Sequence, residues 1–237
     1  MDRDLDAGGT FYHQDVAVPD YVMRHYWWAY VHPRGVKIFD RGWLVNLILL
    51  GNYKRLVRAA LAELDTAPLG RILQLACVYG SLTPKLAKRA SEMGGTLDVI
   101  DVLAIQLRNL KWKLPARTPV RLLRMDSTGL DLPGASYDTV LLFFLLHEQP
   151  EAVRKQTLAE DLRLLKPGGK LILIDYGTPA WWNPLRYLLA PFLALLEPFT
   201  LSLVAAPLAS RLPPGMVLHK TSYMGGFYQK VVAIKGY

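Results

Sequence analysis

From Arg71 onward the sequence alternates between two kinds of segment. Short apolar runs, RILQLAC (71–77), TLDVID (96–101), VRLLRM (120–125), YDTVLLFF (137–144) and KLILIDY (170–176), are separated by stretches over 82–93, 103–113 and 151–165 with apolar residues at helical spacing. Such alternation leaves few solutions. Parallel strands need long crossovers, and helices in those crossovers cover both faces of the sheet. The runs are nearly continuous in apolar residues, as strands buried on both faces require. The tail MVLHKTSYMGGFYQKVVAIKG (216–236) reads as two further strands around Gly225-Gly226 and predicts an antiparallel edge.

The rest of the chain departs from that rhythm. Residues 1–19 read as a loose arm, and 20–66 as helices preceding a domain that begins near 67. Within that domain, 178–212 form an apolar insertion in which Pro184, Pro191 and Pro198 argue for two or three short helices. The 237 residues are 51% hydrophobic with a net charge of +8, which points to an anionic partner. Cations scattered without an arginine-rich patch disfavour nucleic acid, and the apolar content favours an anionic membrane surface. The longest charge-free runs, such as Pro198–Ser210, fall short of the roughly 20 residues of a spanning helix. A single cysteine, Cys77, excludes an intramolecular disulfide and a cysteine-only zinc site, and suits a reducing compartment. MDRDLDAGGT at the N-terminus is acidic and polar, so it does not read as a secretory signal.

Ligands of doubly wound sheets bind at the carboxyl ends of the strands. There, RILQLACVYGSLTPKLAKR (71–89) has the frame of a D/E-x-G-x-G-x-G cofactor loop, with Gln74, Ala76, Val78 and Gly80 at its marked positions and Ser81 following. Asp101 closes the second strand, beside Val102. It is placed either to accept both hydroxyls of an adenosine ribose or to cap the next helix. Asp126, beside Ser127, either takes an adenine amino group or makes a turn. Asp138 begins its strand, the wrong end for catalysis, and reads as structural. His147 and Glu148 follow the fourth strand, and Asp175 and Tyr176 end the fifth. His147 is either a packed residue or a proton-transfer group, and Tyr79 offers a hydroxyl that relays a proton or polarises a carbonyl. The aromatic cluster Tyr26, Trp27, Trp28 and Tyr30 is either helix packing or a lid over a ring-shaped substrate.

The segment GASYDTVLLFFLLHEQPEAVRKQTLAEDLRLLKPGGKLILIDYG (134–177) resembles the second half of class I S-adenosylmethionine (SAM) dependent methyltransferases, above all the quinone C-methyltransferases. YWWAYVHPRGVKIFDRGWLVNLILLGNYKRL (26–56), together with QLACVYGSLT (74–83), resembles the bacterial rhodoquinone-forming RquA family over nearly the whole chain. The resemblance implies a Rossmann-like, mostly parallel seven-stranded sheet with N-terminal helices and an apolar helical insertion. It also implies that SAM serves as amino donor, with manganese, in converting ubiquinone to rhodoquinone at the cytoplasmic side of a bacterial inner membrane. A neutral Gln74 agrees with this, since a carboxylate beside the donor ammonium would keep it protonated. On this reading Gln74, Ala76, Val78, Gly80, Ser81, Asp101, Val102, Asp126 and Ser127 hold the donor. Tyr26, Trp27, Tyr30, His147 and Tyr176 meet the quinone; Tyr79, His147 and Gln74 are catalytic; His147, Glu148 and Asp175 are the metal candidates. The competing readings are a quinone or lipid methyltransferase and a non-catalytic subunit of a quinone-biosynthesis complex.

Overall fold

A computed structural model describes residues 11–13, 16–65, 70–115 and 118–236. Five parallel strands carry the alternating region: β2 (Arg71–Leu75), β3 (Thr96–Asp101), β4 (Val120–Arg124), β5 (Tyr137–Phe143) and β6 (Leu165–Tyr176). The tail supplies β7 (Val217–Tyr223) and β8 (Tyr228–Ile234), and β8 runs antiparallel to both β6 and β7. The order β4-β3-β2-β5-β6-β8-β7 reverses at β2, which is the switch point of a doubly wound sheet. Helices α5 (Leu82–Glu92), α6 (Ala104–Lys113) and α7 (Glu151–Leu164) are the crossovers that the periodicity predicts.

Alternate residues of each strand feed opposite cores. Ile72, Leu97 and Ile172 pack with α5 and with α4 (Tyr53–Ala62), whereas Leu73, Leu142 and Leu173 pack with α7 and the insertion. The short strand β1 (Phe11–His13) pairs in parallel with β4. That is a departure from the loose arm predicted for 1–19, of which residues 1–10 and 14–15 lie outside the described residues. The 66/67 domain boundary also falls outside them.

The N-terminal segment is more broken than its apolar spacing suggests. It comprises α1 (Asp20–His25), a π turn (Trp27–Val31), α2 (Pro33–Phe39), α3 (Gly42–Ile48) and then α4. Pro33 opens α2 at the position where a missing N–H costs nothing. Leu50 and Gly51, both in the left-handed region, separate α3 from α4. Residues 166–169, KPGG, form the irregular first part of β6 directly after α7, where the pairing with β5 jumps from Tyr137↔Leu165 to Thr139↔Lys170.

The insertion forms α8 (Leu185–Leu196, with Pro191 inside), α9 (Thr200–Val204) and a 3₁₀ turn (Leu208–Arg211). It is fastened by polar side chains rather than by apolar burial alone. The fully buried Arg154 donates to the carbonyls of Leu146 (2.9 Å), Gln149 (2.9 Å) and Phe199 (3.2 Å). Arg211 donates to Ser202 O at 2.9 Å and pairs with Glu151.

Across the amino half of the sheet, buried Asp98 gathers β2, β4 and β5. It accepts from Arg121 Nε (2.7 Å), Tyr137 Oη (2.6 Å) and Arg71 Nη2 (3.3 Å). Burial alone would raise its pKa; hydrogen bonds from Arg121 and Tyr137 and the two positive charges outweigh burial and hold it below the usual carboxylate range. Asp98→Ala should cost about 2–4 kcal/mol in chemical denaturation at neutral pH, because the Tyr137 hydroxyl is left buried and unpaired. The contribution of Asp98 is present above the ordinary aspartate pKa of ~3.9 and fades as pH falls through the depressed value. A variant as stable as the parent at pH 7 would refute that role.

Candidate active site

At the carboxyl ends of β2 to β6 lies a cavity of about 320 Å³, within the range of small-molecule sites of ~300–1,000 Å³. The loop after β2 forms its floor. Ala76 sits in the left-handed region at φ 66, a conformation that glycine adopts without strain, so the chain keeps the turn of the cofactor frame without its residue. Cys77 N donates to Asp101 Oδ2 at 2.7 Å, and Leu103 N donates to Asp101 Oδ1 at 2.8 Å. Burial raises the Asp101 pKa to about 6 despite those two donors. Ala76, Val78, Tyr79, Asp101, Val102, Asp126 and Ser127 all line the cavity, as the sequence reading expects.

Three expected loop residues do not. Gln74 is fully buried in β2 on the side facing α5, and its amide donates to Ala76 O (2.9 Å) and Thr83 Oγ1 (2.9 Å). Its place is therefore behind the turn, which it pins, and not against a ligand. Gly80 N donates to Asp40 Oδ1 at 3.0 Å, while Ser81 N and Leu82 N donate to the Tyr53 hydroxyl at 2.6 and 3.1 Å. A side chain at Gly80 would strike that same Tyr53 ring. The helix start that the reading offers to a donor is thus closed by the protein's own side chains.

The roof comes from the N-terminal segment. Tyr30 stacks on Tyr79 (ring centroids 5.5 Å apart), whose hydroxyl donates to Ala29 O at 2.6 Å. Gln106 Nε2 joins the two by donating to Tyr79 Oη (2.8 Å) and Tyr30 O (2.9 Å). Tyr26, Tyr30 and Tyr176 line the cavity as expected. Trp27 does not: it is exposed, with its ring against His32, and Trp28 takes the place on the cavity wall.

At the end of β5 stands an acid–base cluster. His147 Nδ1 lies 2.9 Å from Asp175 Oδ1, and His147 Nε2 lies 3.8 Å from both Glu148 Oε1 and Glu197 Oε2. Tyr30 donates to Glu148 in a short hydrogen bond, and Tyr26 donates to Glu197 at 3.0 Å. Burial alone would hold His147 neutral, but Asp175, Glu197 and Glu148 outweigh it and lift the imidazole to about 9. Burial likewise lifts Glu148 to about 8, with Glu197 and Asp175 adding to it and His147 opposing. The Glu197 carboxyl is raised as well, by burial first.

The metal set His147, Glu148 and Asp175 does not converge on one point. Both Asp175 oxygens are taken, Oδ1 by His147 Nδ1 and Tyr176 N, Oδ2 by His147 N. Among the described residues no group of three or more His, Cys, Asp or Glu side chains has the geometry to hold a metal ion.

Sequence reasoning missed Glu197, Gln106, Tyr21 and Gln149, all on the cavity wall. Glu197 had a signal, being the one acid between Asp175 and the end of the insertion. Gln149 had none. It donates to Ser127 Oγ (3.2 Å) and Thr157 Oγ1 (3.1 Å), leaving its buried Oε1 without a partner.

Comparison with known proteins agrees with the geometry. Residues 72–169 match the family model described as a methyltransferase domain. An uncharacterized methyltransferase of Synechocystis sp. is 29% identical over 87% of this chain and 93% of its own length. The ubiquinone/menaquinone biosynthesis C-methyltransferase UbiE of Azotobacter vinelandii is 28% identical over 58% of this chain, which spans about half (54%) of that protein. The N-methyltransferase NodS of Bradyrhizobium japonicum, solved with S-adenosyl-L-homocysteine, superimposes with a TM-score of 0.57 at 12% identity, over 78% of this chain and 87% of its own. The fold is that of the class I SAM-dependent methyltransferases, and the chain is distantly related to quinone C-methyltransferases.

His147, Glu148 and Asp101 all hold their protons to higher pH when folded, so the native state binds more protons and stability falls as pH rises. The part owed to His147 is complete below its unfolded pKa of ~6.5 and is lost as pH rises through about 9. Urea unfolding should therefore show a drop of a few kcal/mol between pH 5 and 9. Asp175→Asn should flatten that slope and move the His147 NMR titration downward. A wild-type profile that rises with pH would contradict the cluster.

Proposed function

We propose that the protein is a SAM-dependent transferase acting on a quinone ring, and that it delivers the donor's amino group, converting ubiquinone to rhodoquinone by replacing a ring methoxy group with NH2. The similarity to quinone methyltransferases supports the coarser part, a SAM-using enzyme with a quinone-like substrate. The observation that carries the finer part is the floor loop. It keeps the cofactor turn at Ala76, while Val78 and Tyr79 add bulk to the wall where the methionyl part of a donor would lie; Gln74, turned to Thr83, takes no part.

The cavity fits such a donor. Asp101 closes β3 on the cavity wall, each oxygen already accepting one backbone N–H, and the orphaned Oε1 of buried Gln149 beside Ser127 asks for a hydrogen-bond donor such as an adenine amino group. When bound, SAM would supply the nitrogen in a redox-neutral exchange: its neutral amine bonds to the ring carbon as methoxide leaves as methanol. Loss of a β-proton from the methionyl chain then breaks that nitrogen's bond to the α-carbon, the nitrogen keeping the electron pair and taking a proton while an unsaturated carboxylate departs. The chain's residues then do three things. Asp101, Val102, Asp126 and Ser127 hold the adenosine side. Tyr26, Tyr30, Tyr79 and Tyr176 wall the ring and exclude water. Glu148, steadied by Tyr30, accepts a proton in its carboxylate form, and the His147 imidazolium, oriented by Asp175, gives one to a departing alkoxide. Manganese does not fit the arrangement of His147, Glu148 and Asp175. A quinone substrate also places the work at a membrane, here the cytoplasmic face of a bacterial inner membrane.

Methyl transfer to a quinone is the second reading, favoured by the relatives that carry that activity in their names. Incubation with ubiquinone and SAM labelled separately with 15N at the amino group and 13C at the methyl separates the two. Nitrogen in the product quinone is the expected result; carbon without nitrogen makes this a methyltransferase. Neither label in the quinone, with SAM bound, leaves the non-catalytic reading.

Asp101→Ala should weaken SAM binding by about 1.5–3 kcal/mol in calorimetry through loss of charge-assisted hydrogen bonds. Unchanged affinity in a folded variant would move the donor elsewhere. Tyr79→Phe removes the hydroxyl that donates to Ala29 O and accepts from Gln106 and should slow turnover; turnover equal to the parent's would take Tyr79 out of the reaction.

A further inference from the structure

The cavity does not open onto an ordinary polar surface. Helix α3, GWLVNLI, carries no charge and is apolar on both sides. Val45 and Ile48, with Leu49 just beyond, line the cavity, while Trp43 (63% exposed) and Leu47 (62% exposed), one turn apart, face outward. Asn46 is its one polar side chain; a helix this apolar belongs in a protein core or in lipid, and Trp43 and Leu47 have no core to face. The insertion continues the same surface with exposed Trp181, Trp182, Tyr187, Leu188 and Leu196, of which Leu196 also lines the cavity. The two patches meet at the β7–β8 turn: Asn52 Nδ2 donates to Met224 Sδ (3.1 Å) and Asn183 Nδ2 to Met224 O (3.1 Å).

Charge agrees with shape. Arg41 at the start of α3 and Arg186 in α8 are exposed, as are Arg24, Arg34 and Lys37 in the helices before α3 and Lys54 in α4 after it. Of their acids, Asp40 is turned to Lys113 and Glu197 to Tyr26, leaving Asp20 exposed. Exposed cations in the elements that flank exposed tryptophan, tyrosine and leucine give the composition of an interfacial surface that sits among anionic headgroups. An acidic soluble partner would pair with the cations but leave the apolar centre unmatched. Among the described residues no helix is long and apolar enough to cross a membrane.

We propose that α3 and the exposed face of residues 181–201 dock on an anionic lipid bilayer, with the cavity mouth opening onto the lipid so that a hydrophobic substrate passes into it directly. The proposal deepens the quinone reading and rests on it for the identity of that substrate, but the docking itself does not require it.

Co-sedimentation of the full chain with vesicles of phosphatidylcholine and phosphatidylglycerol tests it, against vesicles of phosphatidylcholine alone. Binding should favour the anionic vesicles. The double variant Trp43→Ser/Leu47→Ser should lose roughly tenfold or more in partitioning, since both side chains are buried only on docking. The control Val217→Ser/Leu218→Ser removes two exposed apolar side chains, of smaller area, at the other end of the sheet, where Val217 lies level with Ile234 and Lys170. It should bind as the parent does. Trp43→Phe, which keeps the bulk, should reduce the tryptophan quenching by brominated lipid without abolishing it, because Trp181 and Trp182 dock on the same face. Absence of binding, equal loss in the control, or unchanged quenching would overturn the proposal. Labelled-SAM transfer to detergent-dispersed ubiquinone fails or succeeds independently, so a failure of docking is distinguishable from a failure of the quinone reading.

Discussion

The cavity exists because tyrosine hydroxyls hold one part of the chain over another. Tyr26 reaches Glu197, Tyr30 reaches Glu148, and Tyr79 reaches back to Ala29 O, so the N-terminal segment, the floor loop and the insertion are joined through phenol oxygens. Each bond contributes on the order of 0.5–1.5 kcal/mol, and each would leave a buried polar group stranded if broken. The dependence is mutual. Without the tyrosines, Glu148 and Glu197 would share a buried site with no donor beyond His147. Without the acids, the hydroxyls would point into an apolar wall. The roof and the acid–base cluster therefore form one unit rather than a lid added to a finished site.

That unit explains why the cluster tolerates three carboxyl groups around one imidazole. Charges taken out of water are costly unless paired and hydrogen-bonded, and like charges a few ångströms apart resist joint ionisation. The structure meets both demands by keeping protons. The His147 imidazolium offsets Asp175, and Glu148 is held neutral toward higher pH by burial and by Glu197. The site is thereby supplied with a proton donor and a proton acceptor whose order of ionisation is set by their surroundings, not by their residue type.

Much of the sheet was legible in the sequence because apolar runs buried on both faces look unlike amphipathic helices. The strand ends followed, and with them Asp101, Asp126, His147 and Glu148. What was not legible had physical causes. Residue type says which hydrogen bonds a side chain can make, not where they go, so Gln74 and Ser81 read as ligand groups although their partners are internal. The π turn over Trp27–Val31 inserts an extra residue into the helical phase, which swaps Trp28 for Trp27 on the cavity wall. The break between α3 and α4 rests on a left-handed Leu50, a conformation that leucine does not announce. Glu197 lies some fifty residues from His147 along the chain, and only the seating of the insertion brings the two together.

The capping of α5 has a consequence for the kind of ligand the site admits. In dinucleotide-binding relatives of this architecture the helix after the first strand presents bare N–H groups and the positive pole of its dipole, a ready seat for phosphate or carboxylate. Here a neutral phenol and a carboxylate already occupy those donors, and Lys113, the nearest cation, is committed to Asp40. The positive pole is spent inside the protein. What remains facing the cavity is a ring of carboxyl groups, Asp101, Asp126, Glu148 and Glu197, with the His147 imidazolium among them. A fold that elsewhere selects anions has been turned, by one tyrosine from α4 and one aspartate after α2, into a cup whose polarity welcomes a cationic ligand.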